Sequence, residues 1–86
     1  LTFPQLTEER RKEIVKQVAR LAEDSKVAIR SIRRDANDRF KTMKKNGEAT
    51  EDDVKSLETQ IQKLTDRFVE EIDKLAAAKE KEILSI

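Results

Sequence analysis

Ile14, Val18, Leu21, Ser25, Ile29, Ile32, Ala36, Phe40 and Met43 place an apolar or small residue at every third or fourth position. The mean spacing is roughly 3.6 residues, the turn of an α-helix, so one long amphipathic helix is predicted. Thr7 is placed to cap its start, with Glu8 and Glu9 supplying the negative charge that suits a helix N-terminus. Asn46-Gly47 ends it, since glycine accepts the left-handed conformation that closes a helix. Thr50 then caps a second helix, with Asp53 placed to complete a capping box. The second stripe is Val54, Leu57, Ile61, Leu64, Phe68, Ile72, Leu75 and Ile83, widened by Val69 and Ala76. The expected organisation is an extended lead-in over 1–6, a helix over 7–46, a loop over 47–50 and a helix over 51–84.

A connection this short makes the two helices antiparallel neighbours. The second stripe covers roughly 140° of the helical wheel, wider than the seam of a two-stranded coiled coil. Each helix is thus shaped to touch two neighbours, and the hairpin supplies one. The fold expected is all-α: a long antiparallel two-helix hairpin that wants a third helix, from a partner, a second copy or another part of the same protein. Alone, two copies are expected to cover each other's open grooves as a four-helix homodimer.

Composition agrees with long helices. Of the 86 residues 43% are charged and 36% hydrophobic, with one Gly and one Pro. The net charge of +1 hides an uneven division. Residues 8–46 carry 13 Lys/Arg against 7 Asp/Glu, whereas residues 50–86 carry 6 against 10. No apolar run approaches the roughly 18 residues of a membrane span, no signal peptide is visible, and cysteine is absent. A cytoplasmic protein without membrane partners is expected.

Within the basic half the charges are sorted. Arg30, Arg33, Arg34 and Asn37 fall within about 100° on the wheel, and Lys26 and Lys41 share that strip. Lys12, Lys16 and Lys44 extend it, and Glu23 intrudes. Most other carboxylates of the helix, including Glu13, Asp24, Asp35 and Asp38, lie elsewhere. Charge runs on long helices are commonly solvated faces, and Arg34–Asp38 and Asp35–Arg39 have the spacing of ordinary surface ion pairs. Against that reading, Arg30 and Arg34 are like charges one turn apart, which a lone helix disfavours. The centre of the strip is also arginine, whose planar fork suits bidentate phosphate contact. Phe40 and Phe68 belong to the apolar stripes, so readout of backbone and shape is favoured over base stacking.

Catalytic chemistry is poorly supplied. The chain has no His, Cys, Tyr or Trp, and nothing suggests a pocket that would perturb the Asp35 and Asp38 carboxyls. Glu51-Asp52-Asp53 is a helix N-terminal cluster, without the rest of a calcium loop. No enzyme activity, cofactor or metal is expected.

Four segments in order carry a resemblance: Leu6-Thr-Glu-Glu-Arg-Arg-Lys12, Val27-Ala-Ile-Arg-Ser-Ile-Arg-Arg-Asp-Ala-Asn-Asp38, Glu51-Asp-Asp53 and Gln62-Lys-Leu-Thr-Asp66. Together they resemble the C-terminal portion of bacterial ribosome recycling factor. The resemblance implies an L-shaped molecule outlining a transfer RNA, its long arm a three-helix bundle and its short arm a small α/β domain. The chain is similar to helices two and three of the long arm, and departs from the family in lacking the first helix and the short arm. It is therefore expected to be part of a longer factor that does not recycle ribosomes unaided. Members act after termination with elongation factor G, whose GTP hydrolysis helps to split the ribosome and free messenger and transfer RNA. By resemblance, the arginines matching Arg30 and Arg33 are principal contacts to large-subunit ribosomal RNA, with Arg34 beside them. Lys26, Asn37 and Lys41 join them as expected RNA-binding residues. The rival reading is structural: a hairpin that dimerises, its charges serving solubility alone.

Overall fold

The computed structural model describes residues 7–85, so the lead-in over 1–6 lies outside the described residues. Helix α1 runs Glu8–Lys45 and helix α2 Glu51–Leu84, packed side by side as an antiparallel hairpin of 69 × 18 × 15 Å. No strand occurs among the described residues.

The helix ends follow from local chemistry. The Thr7 hydroxyl accepts from the Arg10 amide at 3.1 Å, which gives one otherwise unpaired N–H of the first turn a partner. At the other end the Gly47 amide donates to Lys44 O (3.1 Å) and the Glu48 amide to Met43 O (2.8 Å). Those two bonds form a Schellman motif, and the required positive φ falls on Gly47 at 75°. The α2 capping box is complete. The Asp53 amide donates to the Thr50 hydroxyl at 3.1 Å, and the Thr50 amide donates to the Asp53 carboxylate at 3.0 Å. The bond from the Thr50 amide is the main cause holding the Asp53 carboxyl below its ordinary pKa, and the Thr50 side chain adds to it.

The helices touch along a narrower seam than their stripes. Only Val54 and Thr65 are buried among the described residues. On α2 they fall in line with Ile61, Ile72, Ala76 and Ile83, all half-buried, at alternating intervals of seven and four. This is an 11-residue repeat, about 3.67 residues per turn, which keeps the seam almost straight along the helix. Thr65 fits there because its hydroxyl donates back to Ile61 O at 2.7 Å.

Leu64, Phe68 and Leu75, predicted within the α2 stripe, instead stand 47%, 49% and 68% exposed; Leu21 and Ile32 on α1 are 68% and 63% exposed. The stripe's width causes this: α1 occupies one flank and the other remains open. Apolar grooves of about 330 and 380 Å³ run along it. Val27 is exposed as well, but stands apart from that flank. No described helix is long and apolar enough to cross a membrane.

Candidate nucleic-acid interface

The cationic strip of α1 does not stand on a remote outer face. It borders α2, because the half-buried Ile29 and Phe40 lie next to it on the wheel. Lys26, Arg30, Arg33 and Asn37 are consequently half-buried, while Arg34 and Lys41 are exposed.

Lys26 is engaged within the hairpin. Its ammonium lies 2.8 Å from the Asp73 carboxylate on α2 and 3.3 Å from Glu23 one turn back on α1. The Asp73 hydrogen bond is the main cause raising the Lys26 pKa; partial burial opposes it, and the Glu23 bond adds to it. Lys26 therefore ties the helices together across 47 residues of sequence.

The arginines differ. None of the ion pairs among the described residues involves Arg30, Arg33 or Arg34. The expected pairs Arg34–Asp38 and Asp35–Arg39 are likewise not formed. Arg33 donates to the Gln62 side-chain oxygen over a long 3.4 Å, and Gln62 in turn donates to Asp66 at 2.9 Å. The arginine stem also lines an apolar groove with Ile61, Thr65 and Phe68, so its head is anchored at the edge of α2. Three guanidiniums within little more than one helical turn, uncommitted to carboxylates, present many donors close together. Chemically, such a cluster suits an extended polyanion.

Residues of α2 complete the surface, and the wheel of α1 alone did not disclose them. Asn37 shares a groove of about 560 Å³ with Lys55, Glu58, Thr59, Gln62 and Lys63. The signal was present as the i, i+4, i+8 spacing of Lys55, Thr59 and Lys63. Their proximity to Asn37 needed the register of the two helices. No group of three or more potential metal ligands is gathered among the described residues.

The comparisons with known proteins point one way. The family model described as ribosome recycling factor matches residues 1–84. The chain belongs to the ribosome recycling factor family. Ribosome-recycling factors of Caldicellulosiruptor saccharolyticus and Acetivibrio thermocellus are each 63% identical to it over 86 residues, and that of Clostridium acetobutylicum is 60% identical. Each alignment covers 100% of this chain and 46–47% of the relative. The chain thus spans about half the length of the curated recycling factors it matches. The resemblance carried by the four quoted segments is borne out, and Arg30, Arg33, Arg34 and Asn37 all fall within the part matched by the recycling-factor model.

Proposed function

We propose that the chain is the ribosome-binding part of a cytoplasmic translation factor and that Arg30, Arg33 and Arg34 grip phosphates of large-subunit ribosomal RNA. Lys41 and Asn37 extend this contact, and Lys26 contributes chiefly by fixing the hairpin through Asp73. The observation carrying the reading is the contrast along one strip: Lys26 is satisfied internally, while the three guanidiniums have no carboxylate partner among the described residues. The name of the family and the elongated shape of the hairpin support it. In its full-length form the factor acts with elongation factor G to split the post-termination ribosome and release messenger and transfer RNA. The 86-residue stretch binds without recycling on its own. Its role is mechanical and electrostatic rather than enzymatic.

The test is binding of the chain to purified large ribosomal subunits at low salt. Arg30→Ala with Arg33→Ala should weaken binding by about 1–3 kcal/mol per charge-assisted contact. Equal binding by the double variant and the unaltered chain rejects the reading.

A second reading is favoured by the open flank at Leu21, Ile32, Leu64, Phe68 and Leu75: a structural hairpin that pairs with another copy and has no RNA role. Sedimentation and ribosome pelleting separate the two, since a dimer without affinity for the large subunit at low salt supports the structural reading.

A further inference from the structure

The α1 strip accounts for three arginines, but the polar groove beside it has chemistry of its own. Lys55, Thr59 and Lys63 form one edge of α2, and Asn37 faces them from α1. Neither lysine takes part in any ion pair among the described residues, whereas Lys74 and Lys79 elsewhere on α2 pair with Glu70 and Glu82. The Asn37 side-chain oxygen is sealed from solvent and has no hydrogen-bond partner. An orphaned acceptor of this kind is unfavourable and calls for an explanation. A half-turn of the carboxamide about its broad terminal torsion exchanges its oxygen with its NH2 group and breaks no hydrogen bond of the oxygen, so a bound strand can offer that acceptor a donor.

We infer that this groove is a second contact for the nucleic-acid backbone, in which Lys55 and Lys63 take phosphates and Asn37 takes the ribose between them. The inference deepens the ribosomal RNA reading and rests on it. Phosphate oxygens only accept hydrogen bonds. The donor on a ribose-phosphate strand is the 2′-hydroxyl, so an unpartnered acceptor between two cationic positions selects RNA over DNA. Glu58, the one carboxylate lining the groove, opposes the strand and sets a limit on affinity. The bound strand would then run from the guanidiniums on α1 across Gln62 to the lysine edge of α2. It would bridge both helices instead of following one.

The experiment measures binding of the full 86-residue chain to purified large ribosomal subunits, with helicity checked by circular dichroism. Lys55→Ala with Lys63→Ala should weaken binding about tenfold and reduce the salt slope by about 2. Lys74→Ala with Lys79→Ala removes equal charge away from the groove and should change binding less than about twofold. Glu58→Gln should tighten binding about threefold at low salt, a gain that loss of folding cannot imitate. On an RNA hairpin and a DNA hairpin of matching sequence, Asn37→Ala should abolish most of the preference for RNA. The groove inference is overturned if Lys55→Ala/Lys63→Ala and Glu58→Gln bind as the unaltered chain does, or if the Lys74/Lys79 control weakens as much. It is also overturned if Asn37→Ala affects RNA and DNA equally. If Arg30→Ala/Arg33→Ala still weakens binding in those cases, the ribosomal reading stands alone; if that variant too is silent, both fall.

Discussion

Lys26 and Arg30 are one helical turn apart on the same strip, yet one charge is spent inside the hairpin and the other is not. The difference lies in what α2 offers opposite each: Asp73 meets Lys26, and no carboxylate reaches Arg30. Lys26→Ala and Asp73→Ala should each lower the melting temperature, and the double variant should lose less than the sum. Additive losses in that cycle would deny the link. Because hydrogen bonding raises the Lys26 pKa in the fold, the contribution is complete below the ordinary lysine range and disappears as pH climbs through the raised value. Lys26→Ala and the unaltered chain should therefore converge in melting temperature at strongly alkaline pH. Helical spacing alone placed Arg30, Arg33, Arg34, Asn37, Lys26 and Lys41 on one strip. It could not tell which of them α2 would engage, because the Lys26–Asp73 contact joins positions 47 apart and depends on interhelical register.

At the scale of the elements, the ends were more legible than the contact surface. Thr7, Asn46-Gly47, Thr50 and Asp53 act over three to five residues, so their roles are written locally. Thr50→Ala should destabilise the start of α2 by about 1 kcal/mol, measured as lost helicity and a lower melting temperature. Its partner Asp53 is held below its ordinary pKa, so the box is intact above the ordinary aspartate range and fails as pH falls through the lowered value. An acid titration of helicity should show this loss in the unaltered chain, and a smaller one in Asp53→Asn. The seam was harder to read because both flanks of each stripe are apolar. Hydrophobicity alone favours Leu64 and Phe68 over Thr65, yet Thr65 lies inside and the other two stand nearly half exposed. Val54→Ala should therefore cost on the order of 1–2 kcal/mol, whereas Leu75→Ala on the open flank should cost less than about 0.5 kcal/mol.

The whole molecule has two unlike sides: an open apolar flank, and a polar edge where the arginines meet the α2 groove. The width of the stripes announced the first side from sequence, through side chains each stabilised by about 1.5–3 kcal/mol when fully buried. A second copy laid on that flank would give the expected four-helix arrangement. Replacing Leu64 and Phe68 with Ser should then keep the chain monomeric in sedimentation at concentrations where the unaltered chain associates. The second side depends on both helices, so the sequence displayed its α1 half and left its α2 half unassigned. The central claim is that the polar edge holds a phosphate backbone. Its most direct test is the salt dependence of binding to large ribosomal subunits, for the unaltered chain and for Arg30→Ala/Arg33→Ala. The account predicts a steep linear fall of log affinity with log salt, and a slope shallower by about 2 in the variant. Identical slopes, or binding indifferent to salt, would contradict it.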